Sequence, residues 1–224
     1  MRWRRRGREA AERPLEGTVA KHGEVETHAR TRLVLHWAEI AIEQERLAQQ
    51  GLAELERAHQ VGEQPYKLKA ELQPALVAVA ACAHSLDALY AELAELVGPE
   101  TLAEWTERTR GGRWAQVAGI LELAVERDVE PWRPRLQTLY QELRNPAVHP
   151  KAKAKALKEH PALRAMGTPE YAIYTVEAVR ESVDLLLEVL SACVEVPKPP
   201  IETWANDTRT LVEGVTQSRE PSED

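Results

Sequence analysis

Phenylalanine is missing from all 224 residues, cysteine occurs only twice, and lysine is scarce beside arginine. Cys82 and Cys193 both fall on apolar stretches with helical spacing. Buried free thiols in a reducing compartment are the expectation there, ahead of a disulfide. No set of Cys, His, Asp or Glu shows metal-ligand spacing, so neither a metal nor a cofactor is expected. The basic start, Met1-Arg2-Trp3-Arg4-Arg5-Arg6-Gly7-Arg8, is not followed by the apolar segment that a secretory signal needs. No run reads as long enough to span a bilayer, so a cytoplasmic protein without a membrane partner is expected. The basic tip reads as a solvated tail, with contact to nucleic acid or acidic lipid as the alternative. Positive charge is not in excess, since the net charge is −7. That balance argues against a dedicated high-affinity nucleic-acid binder. It leaves room for an enzyme that needs only local positive charge.

What the chain does contain is Ala, Leu and Glu in abundance, a composition that favours helix. Residues 1–27 carry little hydrophobic periodicity and read as a basic, loosely ordered extension. Helical spacing starts near Thr31 and continues to His59, marked by Leu33, Trp37, Ile40, Leu47 and Leu55. The clearest stripe follows, from Leu68 through Leu72, Leu76, Val79, Ala83, Leu86, Tyr90 and Leu93 to Val97. Pro74 predicts a kink or a later start within it. Glu100 to Arg110 can form a short helix, and Trp114 to Val125 a further amphipathic one. Pro131 and Pro134 frame a new start, followed by Leu136, Leu139, Tyr140 and Leu143. Thr168-Pro169-Glu170 is read as opening the last long helix, which Val196-Pro197-Lys198-Pro199-Pro200 stops. Residues 197–224 are mostly polar and read as a tail with at most a weak helix around Trp204 and Leu211 to Val215. The expected fold is all-α: an antiparallel helical bundle over 28–196 with flexible N- and C-terminal extensions.

One short stretch carries chemistry: Arg144-Asn145-Pro146-Ala147-Val148-His149. A guanidinium can grip a phosphate in bidentate fashion, and an imidazole can move a proton near neutral pH. Arg30 and His36 show similar spacing but lack the Asn and sit at the start of the first strong helical segment. They read as a coincidence. Pro146 lacks an N–H and disfavours the α conformation at Asn145, so the helix is expected to end or kink there. The break matters, because positions five apart on an intact helix diverge by about 140°. It would let His149 turn back toward Arg144.

Arg-Asn, three residues and then His, near the end of the penultimate helix of an all-helical chain, resembles the R-x4–6-H motif of HEPN domains. The resemblance covers residues 28–196, with only the six-residue motif and the helix order diagnostic. Members of that family are small helical bundles. Many are metal-independent ribonucleases of toxin–antitoxin, defence or RNA-processing systems, and others are binding or dimerisation modules. The resemblance implies that Arg144 contacts the scissile phosphate and that His149 takes the proton from a ribose 2′-OH, leaving a 2′,3′-cyclic phosphate. It implies that Asn145 orients the motif, and that a homodimer faces two copies across a cleft, with RNA as substrate and an antitoxin or other protein as partner. Asp87 stands where some members carry an acidic residue packed toward the motif arginine. Toxins paired with a small nucleotidyltransferase often have Tyr two residues after the motif histidine. Lys151 occupies that position here, which puts that mode of regulation in doubt.

Each of these residues also has a plainer reading. Arg144 fits the capping of helix C-terminal carbonyls, Asn145 a turn before proline, and Asp87 a solvent-facing position. Lys151, Lys153, Lys155 and Lys158 are half of all the lysines and could track an RNA backbone beside the motif. Alone, they read as a solvated loop. Three functions therefore stand: a metal-independent endoribonuclease, a non-catalytic HEPN-like module binding nucleotide, RNA or protein, and an unrelated structural bundle.

Overall fold

The computed structural model describes residues 19–60, 69–98, 112–148 and 156–219, with side chains of the first helix described from residue 33. These residues are mostly helical. Helix α1 spans Val19–Gln60, α2 Lys69–Val97 and α3 Arg113–Ala124. A continuous helical stretch then runs as α4 (Trp132–Gln137), a π-helical segment (Thr138–Arg144) and α5 (Asn145–Val148). A two-residue hairpin, β1 (Lys158–Glu159) and β2 (Met166–Gly167), precedes α6 (Pro169–Ile173), α7 (Val176–Glu195) and α8 (Glu202–Gln217). The short helix expected over Glu100 to Arg110 lies outside the described residues.

Alanine takes much of the core space in this chain without phenylalanine. Ala38, Ala41 and Ala48 of α1 are fully buried, as are Ala75, Ala78, Ala81 and Ala83 of α2. Small side chains let these two helices approach closely, and Gly51 marks a point of close backbone approach. A Cβ built there would lie 2.4 Å from the Ala70 carbonyl oxygen. A buried hydrogen bond from Ser85 Oγ to the Val34 carbonyl, 2.8 Å, ties the same pair together. Leu86, Leu89 and Leu93 of α2 share the buried core with Val183, Leu186 and Leu190 of α7, and the two helices pack against each other. Helix α2 is apolar around much of its circumference and, by length and composition, passes the test for a membrane span. That differs from the sequence expectation. Here α1, α3, α7 and the π-helical segment pack against it, the environment of a core helix.

Four expectations need correction. Helix α1 begins at Val19, inside the segment read as a loose extension. Pro74 does not mark a later start of α2, which begins at Lys69 and contains Pro74 as its sixth residue. The last long helix begins at Val176, because Thr175 is its N-cap and its Oγ1 accepts from Ala178 N at 3.3 Å. Pro169 opens only the five-residue α6. The C-terminal segment is no tail. Ile201, Trp204, Ala205, Thr208, Val212 and Val215 form a stripe at helical spacing, buried against α1 and α7. Its polar residues occupy the outer face, which lowers the average hydropathy and conceals the stripe. Trp204 Nε1 donates to Glu92 Oε2 at 2.6 Å. At the end of the segment, Arg219 clamps buried Glu45 through two hydrogen bonds of 2.9 Å and also pairs with Asp184.

Both cysteines are free and buried. Burial pushes the Cys193 thiol up to about 12 and the Cys82 thiol higher still, so both are inert neutral side chains.

Candidate functional site

The backbone around the motif differs from the expectation. Asn145 holds ordinary helical angles (φ −64°, ψ −43°) despite preceding a proline, and the helix continues to Val148. No break at Asn145 is available to swing the following residues back. Instead the ladder widens upstream: Asn145 N–H bonds to the Tyr140 carbonyl five residues earlier. Pi-helical turns of this kind are uncommon and recur at functional positions. Downstream, Tyr174 Oη donates to the Leu143 carbonyl at 2.8 Å and so occupies an acceptor near the end of the segment. Burial, with the nearby Glu170 carboxylate, pushes the Tyr174 hydroxyl up to about 12.

Arg144 is half-buried at the last position of the π-helical segment. Its Nη1 donates to Asn145 Oδ1 at 3.2 Å, and among the described residues its buried Nε has no hydrogen-bond partner. Among the described residues no carboxylate forms an ion pair with it. Arginine is fully ionised, and a buried N–H without a partner costs about 1–3 kcal/mol. An incoming oxygen anion would supply that partner. Asn145 is exposed and steers the guanidinium through its side-chain oxygen. His149, Lys151, Lys153 and Lys155 lie outside the described residues. Lys158 is exposed on β1.

Asp87 occupies the interface between α2, α3 and the π-helical segment. Its Oδ1 accepts from Arg113 Nε at 2.7 Å and from Tyr140 Oη at 2.9 Å. Tyr140 Oη also lies 3.2 Å from the Ala83 carbonyl. Asp87 is therefore engaged by Arg113 and Tyr140. The solvent-facing reading does not hold, and among the described contacts Arg144 is not its partner. Burial first, and then the Asp87 charge, hold the Tyr140 hydroxyl well above its ordinary range, while Arg113 and Arg144 oppose the shift.

Arg113 was not singled out from the sequence, although its geometry is distinctive. It is the first residue of α3, directly after Gly112, whose φ of +87° suits glycine. Its guanidinium lies 4.0 Å from the Tyr90 ring centroid, and its Nη1 donates to Gln116 Oε1 at 3.2 Å. No local sequence signal marks a pairing between positions 26 residues apart.

His160 follows the lysine-rich stretch in the sequence. It is buried, its Nε2 is 2.9 Å from Glu71 Oε2, and its Nδ1 accepts from Leu163 N at 3.2 Å. Glu71 Oε1 in turn accepts from Val176 N, the first residue of α7, at 2.9 Å. This pair ties the hairpin to α2 and α7. A cavity of about 370 Å³ adjoins it, lined by Leu52, Thr175, Glu177 and Arg180 among others. A smaller one of about 170 Å³ lies between the motif stretch and α7, lined by Arg135, Leu139, Leu143 and Ser182, and excludes Arg144. No grouping of metal-ligating side chains occurs among the described residues.

Comparison of the chain with family models, curated proteins and solved structures found no match.

Proposed function

We propose that the chain is a HEPN-like protein, an antiparallel helical bundle that cleaves RNA without a metal ion through Arg144 and His149. The observation that carries this reading is the state of Arg144. Its guanidinium is oriented by Asn145, lacks an ion-pair partner among the described residues, and keeps a buried Nε–H without an acceptor. A permanent cation held this way suits a phosphodiester oxygen.

In this mechanism the His149 imidazole takes the proton from a ribose 2′-OH as the oxygen attacks the adjacent phosphorus. Arg144 stabilises the added charge on the phosphoryl oxygens. The bond from phosphorus to the 5′-oxygen breaks, and the leaving oxygen receives a proton from the imidazolium or from water. The products are a 2′,3′-cyclic phosphate and a 5′-hydroxyl. Lys151, Lys153, Lys155 and Lys158 supply local positive charge for the RNA backbone in an otherwise acidic chain. We place the active form as a cytoplasmic homodimer in a defence, toxin or RNA-processing setting, with a protein partner as its restraint.

The test is incubation of purified protein with single-stranded RNA in EDTA, beside Arg144→Ala and His149→Ala variants. Cleavage by wild type and at least 100-fold less by each variant is the expected result, the scale of a lost general base or charge contact. RNA binding that depends on Arg144 without any turnover would establish the non-catalytic module instead. Loss of neither binding nor cleavage in the variants would remove the motif from function.

A further inference from the structure

We infer that Arg113 is a positioning residue for the motif: by holding the Asp87 carboxylate, it leaves the Arg144 guanidinium available to a phosphodiester. This rests on the reading of Arg144 as a phosphate contact and adds to it a residue far away in sequence.

Asp87 and Arg144 are both tied to Tyr140, the first by a hydrogen bond and the second by its place four residues further along the same helical segment. Tyr140 Oη is bonded to Asp87 Oδ1 at 2.9 Å, and Arg144 follows Tyr140 by four residues on a helical segment that turns more slowly than an α-helix. An unpaired carboxylate in such a place competes with phosphate for the nearest guanidinium, because both offer paired oxygens to the same planar donors. Arg113 removes that competition. It takes Asp87 Oδ1 at 2.7 Å, and its Nη2 lies 3.4 Å from the Asp87 backbone oxygen. Arg113 does not depend on Asp87 alone for its place, since Tyr90 and Gln116 hold the guanidinium from other directions. The Asp87 carboxylate is thus neutralised by a partner already fixed, whereas among the described residues Arg144 has only Asn145. The division of two arginines between one carboxylate and one unfilled position is the relationship that carries the inference.

The experiment measures binding of a labelled single-stranded RNA oligonucleotide in EDTA, using the full chain with His149→Ala so that the probe stays intact. Arg113→Met is expected to weaken binding by about tenfold or more, the scale of one charge-assisted contact. Arg113→Lys, which keeps a cation against Asp87, is expected to retain most of the affinity. Combining Arg113→Met with Asp87→Asn removes the competing charge and is expected to restore binding, while Asp87→Asn alone leaves it undiminished. A purely structural role for Arg113 would not be rescued by the second change. Failure of the double variant to recover, or wild-type affinity in Arg113→Met, overturns the inference. So does a clear loss in Asp87→Asn alone, which tests the same point if Arg113→Met does not fold. Arg144→Ala separates the two claims: if it binds RNA as the parent does, the phosphate reading itself fails. If it loses binding while the Arg113 variants do not, only the inference fails.

Discussion

Asp87 and Tyr140 are joined by a hydrogen bond of 2.9 Å between α2 and the π-helical segment, linking residues 53 positions apart in the chain. Through this bond the position of the motif backbone depends on the central core helix. Tyr140→Phe keeps the ring and removes the hydroxyl from both Asp87 and the Ala83 carbonyl. The expected cost is about 1 kcal/mol in urea denaturation, because Asp87 keeps Arg113 and is not left unpaired. A loss of 3 kcal/mol or more would show that the phenol is the main support of the site.

The crossing of α1 and α2 makes a steric prediction. Gly51→Ala would gain helix propensity of up to about 1 kcal/mol. A Cβ 2.4 Å from the Ala70 carbonyl oxygen meets backbone, which cannot rotate aside as a side chain can. Overpacking is expected to win, with a net destabilisation of about 2 kcal/mol measured as a lower denaturation midpoint. An unchanged or raised midpoint would mean that the helices separate without cost.

Arg219 offers a test of the docked C-terminal segment. Its guanidinium meets both oxygens of Glu45, a side chain only 4% exposed. Arg219→Met strands that carboxylate, and the expected loss is about 2 kcal/mol, moderated because the arginine itself is partly exposed. Adding Glu45→Gln is expected to recover at least half of it. Additive losses in the double variant would show that the two side chains act independently.

Alkaline pH is expected to destabilise the protein. The thiols of Cys82 and Cys193 and the hydroxyls of Tyr140 and Tyr174 all ionise less readily when folded than their ordinary values of 9.0 and 10.0. Burial is the largest cause in each. Below pH 9 both states hold these protons and stability is unaffected by them. Above it the unfolded chain releases them first, so stability falls as pH rises toward about 12, where Cys193 and Tyr174 titrate in the folded chain. Urea midpoints at pH 8 and pH 10.5 measure this, and Cys82→Ala with Cys193→Ala should make the decline shallower. A midpoint that rises with pH would contradict the burial of these groups.

The periodic positions of α2 and α7 were readable because their buried residues recur every three or four positions. Val79, Leu86 and Leu93 occupy core positions, as do Val183, Leu186 and Leu190. Trp204 and Val212 were discounted because the polar residues between them occupy the exposed face of the same helix. Pro74 and Pro146 misled in the same direction. A local steric rule weighs against helix at each, yet α2 runs through Pro74 and the helix continues past Pro146 after the widened turn. Of the candidate site, the type and place of Arg144 and Asn145 were legible from six residues. The partnership of Asp87 with Arg113 was not, because it arises where α3 returns to α2 and has no local pattern.

The central claim is that Arg144 and His149 cleave RNA through the ribose 2′-oxygen. The most direct measurement compares, in EDTA, an RNA oligonucleotide with its fully 2′-deoxy counterpart and identifies the product ends. The account predicts cleavage of the RNA alone, with 2′,3′-cyclic phosphate and 5′-hydroxyl ends. Equal cleavage of both strands, or products ending in 5′-phosphate, would contradict it, as would an inert protein under conditions where it binds the RNA.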